Sequence, residues 1–219
     1  MLCLVATSPT EIHLDIFEER ISNFWTDFQT ARNITDNAAL LRFISYNKMS
    51  NTIEMAPDIT YRDVVGLRNP EVVSPAPFYV VTAIAKVVTT DGFVVWQERN
   101  TGDWPHSIEL SGGFLRAKQI QDGVVSADNF ITDRVARDFG IAPTYLTNLE
   151  FHSLFMNDSI LEAMCCYTLS LTLSRDELIQ LNPEHSFHFT KPDFDPTTDT
   201  IHPTLPLHAP SVAAWDRLK

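Results

Sequence analysis

The sequence predicts a mixed α/β sandwich, and three observations predict it. Short strand-like runs lie on both sides of one amphipathic helical segment at residues 127–139. The run "FYVVTAIAKVVT" meets "GFVVWQER" across "TDG", which is a hairpin signal. A last helical stretch, "SVAAWDRLK", closes the chain. Strands that flank two helices in this way pack as layers around one apolar core.

Taken in order, "LCLVA" reads as a strand. "EIHLDI" alternates apolar Ile12, Leu14 and Ile16 with polar neighbours, the pattern of a half-buried strand. The rival is one longer helix from Ser8, where "SPTE" fits a capping box. Phe17, Ile21, Phe24, Trp25 and Phe28 then recur at helical spacing and form one stripe. "ALLRFISY" and "NTIEMA" read as two strands around "NKMSN". The three prolines of "NPEVVSPAP" read as a linker.

Beyond the hairpin, polar "NTGDWPHS" leads into the strand-like "IELSGGFL". A helix is expected from Ala127 to Phe139, with Ser126 as cap and Gly140 ending it. Ala127, Phe130, Ile131 and Val135 form its buried stripe. "LTNLEFHSLFMN" and "EAMCCYTLSLTLS" are strands, and "SRDELIQL" opens a short helix. The tail from Asn182 is rich in Pro, His and Phe and is expected to wrap irregularly. The expected divisions are an N-terminal extension at 1–76, a core at 77–181 and the tail at 182–219.

Composition narrows the function classes. The chain has 219 residues, and 44% of them are hydrophobic, enough for a sizeable core. Sixteen basic against 28 acidic residues leave a formal charge of −12. That field repels phosphate backbones and anionic lipid, so neither nucleic acid nor membrane is an expected partner. The apolar start "MLCLVATSP" lacks a basic flank, and no run is long enough to span a bilayer. Cys3, Cys165 and Cys166 have no zinc spacing and read as free thiols. The expected location is the cytoplasm.

The stretch from Ile108 to Ile141 carries the chemistry. "IELSGGFL", a loop, a helix and then "DRVARDFGI" resemble the box of the Nudix hydrolase superfamily, G-x5-E-x7-R-E-U-x-E-E-x-G-U, where U is a bulky aliphatic residue. "FWTDFQTARNITDNAALLRFISY" followed by "TYRDVVGLRNP" resembles the N-terminal region of the subfamily that hydrolyses UDP-glucose and UDP-galactose. Trp25, Arg42, Phe43, Thr60, Tyr61, Arg62, Gly66 and Asn69 carry that likeness, which covers most of residues 17–141. The resemblance implies a Nudix-like α/β/α sandwich with a mixed sheet and an N-terminal strand–helix–strand extension. It also implies a nucleoside-diphosphate substrate and a box helix whose acids hold Mg²⁺ or Mn²⁺ while water attacks phosphorus.

This chain departs from the box. Aligned on Gly140 and Ile141, Asp133 stands at the Arg position and Arg134 at the following Glu. Arg137 and Asp138 replace the Glu–Glu pair, and the loop after Gly113 is longer than the box allows. Any metal is therefore expected to be weakly held and hydrolysis weak or lost; the alternative is a non-catalytic member that binds a nucleotide or a protein through the old pocket. The resemblance makes Asp138, Asp133 and Asp128 the metal ligands, and Asp138, Glu150 and Glu162 the catalytic acids. Arg62, Arg99, Trp104, Gly112, Gly113 and Arg137 would bind substrate. Three readings of the helix stay open. Asp133 with Arg137 and Arg134 with Asp138 are i,i+4 opposite charges, which a solvated helix face explains without a ligand. Alternatively, Arg137 could fork onto a phosphate in place of metal. As a third, Asp122, Asp128, Glu150 or Glu162 could supply replacement ligands.

Overall fold

A computed structural model describes residues 2–8, 14, 17–32, 34–68, 78–100 and 104–218. The linker read at 69–77 and the strand read at 11–16, apart from Leu14, lie outside the described residues. The protein is mixed α/β, built on a mixed sheet with several helices. Its chain forms two compact units.

The first unit comprises Met1–Thr82, Phe114–Ala127 and Met156–Ala163. Strand β1 (Cys3–Ala6) runs parallel to β3 (Thr52–Thr60) and antiparallel to β8 (Val124–Val125). Strand β2 (Ala39–Asn47) pairs antiparallel with β3 through two register shifts. Helix α1 (Glu18–Arg32) buries Ile21, Trp25 and Phe28, three of the five residues in the expected stripe. The segment "TYRDVVG", given no element above, folds as helix α2 (Tyr61–Leu67). Its cause is local: Asp63 Oδ2 accepts from both Thr60 N and Thr60 Oγ1 at 2.8 Å, closing the first turn. Gly66 lets α2 approach α1, since a Cβ there would lie 3.0 Å from Ile21 Cα.

The second unit comprises Ala83–Gly113, Asp128–Phe155 and Met164–Lys219. Strand β4 (Val80–Val88) continues into it and pairs antiparallel with β5 (Val94–Arg99) around a turn with Gly92 at φ 84°. Strand β5 also pairs with β6 (Ser107–Glu109), and β7 (Ser111–Phe114) pairs with β4. Strands β9 (Leu146–Asn157) and β10 (Glu162–Leu171) pair with each other. Helix α3 spans Ala127–Phe139, the expected bounds, and buries Ile131, Val135 and Phe139. Helix α4 (Arg175–Leu181) starts at Ser174, whose Oγ accepts from Glu177 N at 3.3 Å.

The tail is more regular than its composition suggested. Phe187–Thr190 forms strand β11, antiparallel to β5 with Phe189 opposite Val95. Ala209–Trp215 forms helix α5, with Pro210 in its first turn. Trp215 stacks on Trp96 at 5.1 Å, and both are buried. A long-range strand pairing and a tryptophan stack fix a segment whose local pattern is weak.

Candidate functional site

Three neighbouring pieces of the second unit bring their polar side chains to one place. On β5, Gln97 and Arg99 stand two residues apart and share a face. The β5–β6 register sets Glu109 directly opposite Gln97, so Glu109 joins that face. Helix α3 adds Arg134 and Asp138, one turn apart.

Asp138 is the hub. Its Oδ2 accepts from Arg134 Nε at 2.6 Å, from Ser111 Oγ at 2.8 Å and from Gln97 Nε2 at 3.3 Å. Arg137 Nε lies 3.8 Å from Oδ1. Gln97 also reaches Glu109 Oε1 at 3.4 Å, linking the two carboxylates through one amide. Arg99 Nη1 donates to Glu109 Oε2 at 2.7 Å. From the tail, His208 Nδ1 lies 3.6 Å from the same oxygen and 3.2 Å from Ser211 Oγ, which accepts from Leu110 N. Trp104 packs edge-on against the His208 ring at 5.3 Å.

The charges are unevenly exposed. The side chain of Glu109 is 6% exposed and that of Asp138 9%. Arg99 is 21% exposed, Arg134 25% and Arg137 69%. The carboxylates are therefore sealed in while three guanidiniums reach solvent. Burial pushes the Glu109 carboxyl above the ordinary glutamate range; Arg99, and Arg134 behind it, pull the other way, and Asp138 adds to the rise.

The glycine pair makes close approach possible. A Cβ on Gly112 would sit 2.7 Å from Ala83 O, so only glycine fits there without backbone movement. At Gly113 the space is filled by the Arg134 guanidinium, 3.1 Å from where a Cβ would be.

Several residues singled out in the sequence stand apart from this cluster. Asp133 is exposed, and no Asp133–Arg137 ion pair forms among the described residues; Arg137 leans toward Asp138 instead. The Arg134–Asp138 pair does form. Asp128 lies in the first turn of α3 and accepts from Tyr167 OH at 3.3 Å. Glu150 is exposed on β9, and Asp122 is exposed in a turn at φ 50°. In the first unit, Glu162 is buried against Arg68 and accepts from Thr82 Oγ1 at 2.9 Å. Also there, Arg62 pairs with Glu18 and Ser22.

These residues do not fit a magnesium or manganese cluster. Asp138 lies ten positions along the helix from Asp128, about 15 Å along the axis. Asp138 already receives a guanidinium, a hydroxyl and an amide. Among the described residues no group of three His, Cys, Asp or Glu side chains is placed to hold a metal.

Glu109, Gln97, Ser111 and His208 carry no local pattern in the sequence that marks them as site residues. Gln97 and Arg99 at i,i+2 come nearest to a signal; Glu109 between two apolar residues of "IEL" is a weaker one.

No family model and no curated protein matches this sequence. Among solved structures the chain is similar to DR0079 from Deinococcus radiodurans, at 13% identity and TM-score 0.45 over 63% of this chain and 81% of that one. It is similar to NrtR from Shewanella oneidensis at 15% identity and TM-score 0.42, over 63% of this chain and 60% of that one. It is also similar to a MutT NUDIX hydrolase from Burkholderia pseudomallei at 15% identity and TM-score 0.42, over 64% of this chain and 97% of that one.

Proposed function

We propose that this chain is a Nudix-like protein, akin to nucleoside-diphosphate-sugar hydrolases, in which metal-dependent diphosphate hydrolysis is weak or lost. The old pocket then serves to bind a small nucleoside-diphosphate-type anion. Nucleic acid and membrane surfaces are not its partners. One observation carries this function: the Asp138 carboxylate, at the one box position that keeps an acid, is held by Arg134 and Ser111. A cation placed there would have to displace a guanidinium 2.6 Å away. Arg99, Arg134 and Arg137 instead offer planar, solvent-reaching donors suited to phosphate oxygens.

The residues present bind and orient rather than activate water. Gln97 and Ser111 hold Asp138, which fixes the Arg134 guanidinium beside Gly113. Trp104 beside His208 offers an aromatic wall for a base or sugar.

The test is incubation with UDP-glucose, ADP-ribose and dinucleotides, with Mg²⁺ or Mn²⁺, followed by phosphorus NMR. Little or no nucleoside monophosphate is expected, while equilibrium binding persists in EDTA. Robust turnover that Asp138→Ala abolishes would overturn the loss of hydrolysis. Binding that chelation removes entirely would overturn metal-free recognition.

A further inference from the structure

We propose that anion binding at this cluster proceeds by exchange. Glu109 occupies Arg99 until an anionic ligand takes the guanidinium, and Glu109 then accepts a proton from solvent. Binding is thus coupled to the uptake of one proton. This rests on the anion-binding function proposed above and adds its linkage to pH.

The geometry points this way because the two partners of one ion pair differ in access. Arg99 Nη1 holds Glu109 Oε2 at 2.7 Å, yet the arginine is 21% exposed and the carboxylate 6%. An anion can reach the guanidinium from solvent, whereas the displaced carboxylate cannot turn to water. A buried carboxylate stripped of its cation is costly as a charge, and taking a proton relieves that cost.

Among the described residues, the groups facing Glu109 leave little else to hold its charge. From β5 come Arg99 and the neutral amide of Gln97; from α3 come Asp138, a like charge, and Arg134, already paired with Asp138. From the tail come His208 at 3.6 Å and Ser211, which contacts His208. Burial already lifts the Glu109 carboxyl with Arg99 in place, and loss of that cation moves it further in the same direction.

The charge balances. The ligand brings its negative charge to Arg99, and a proton from solvent neutralises Glu109. The protein side of the cluster therefore gains one positive charge, which offsets one negative charge of the ligand.

Calorimetric titration of the full chain with UDP-glucose in EDTA tests this between pH 5.5 and 8. The bridging diphosphate of that ligand keeps its charge across this range, so any linkage belongs to the protein. Repeating each titration in buffers of different ionisation enthalpy counts the protons. Wild type should take up about one proton and lose affinity by up to about tenfold per pH unit as pH rises. Glu109→Gln should bind with flat pH dependence and no uptake. Arg99→Gln should bind more weakly, through Arg134 and Arg137, and without uptake, because its Glu109 is already neutral before ligand arrives; it serves if Glu109→Gln fails to fold. His208→Gln should keep the uptake. Proton-free, pH-flat binding by wild type overturns the exchange and leaves anion binding standing. Uptake retained in either the Glu109 or the Arg99 variant also overturns it. Uptake lost with His208→Gln assigns the proton to the imidazole and overturns it too. No binding by wild type at any pH overturns the anion-binding function itself.

Discussion

Glu109 is a buried acid and Asp138 a largely covered one, and their surroundings give them different roles. Asp138 accepts three hydrogen bonds, and Asp138→Ala leaves Arg134 and Ser111 without their acceptor. The expected loss is about 1–3 kcal/mol, read from urea unfolding. The Glu109 carboxyl is raised, chiefly by burial, so the folded protein holds its proton more tightly than the unfolded chain does. The stability this gives is complete below the ordinary glutamate range and is lost as pH climbs through the raised value. Unfolding free energies of wild type and Glu109→Gln should therefore diverge with rising pH, wild type falling relative to the variant. A difference that stays constant from pH 4.5 to 8 would contradict this. Spacing alone was enough to pair Arg134 with Asp138. It could not find Glu109, whose partners come from β5, α3 and the tail.

At the scale of elements, α3 was the clearest segment to read. Its apolar stripe repeats at helical spacing, and its end is written locally. Gly140, at φ 63°, closes a Schellman turn: Gly140 N donates to Arg137 O at 3.2 Å and Ile141 N to Ala136 O at 2.9 Å. A Cβ there would lie 2.8 Å from Asn182 Oδ1. Gly140→Ala should cost about 1–2 kcal/mol, seen as a lower thermal midpoint with helix content retained. An unchanged midpoint would show that the turn relaxes freely. Helix α2 and strand β11 were harder to read. One is seven residues long and rests on the Asp63 cap; the other is four residues whose ladder partners lie ninety or more positions away.

Across the whole molecule, a formal charge of −12 goes with a cluster in which, among the described residues, three arginines outnumber two carboxylates. Such an arrangement would suit a small anion at one place and disfavour extended polyanions, as the proposed function requires. Among the described residues no helix is long and apolar enough to cross a membrane. The tail belongs to the core of the second unit, because Trp215 packs against both Trp96 and Phe194 and lies under the Lys86 ammonium. Trp215→Ala should remove about 3–5 kcal/mol. It should also loosen the His208 end of the site, which shares helix α5 and its cap with Trp215. Denaturant midpoints together with UDP-glucose affinity report both effects; a well-folded variant with unchanged affinity would separate the tail from the site.

Periodicity and turn chemistry in the sequence determined most strands, the bounds of α3, the α3 salt bridge and the mixed charge of that helix's polar face. These depend on residues within a turn or two of each other, so a local pattern suffices to specify them. Tertiary structure alone decided that Asp138 is held by donors from β5 and β7, that Glu109 is sealed beneath Arg99, and that the tail supplies His208. Burial and partner identity arise from strand register and packing between distant segments, and those quantities set the charge state of an acid.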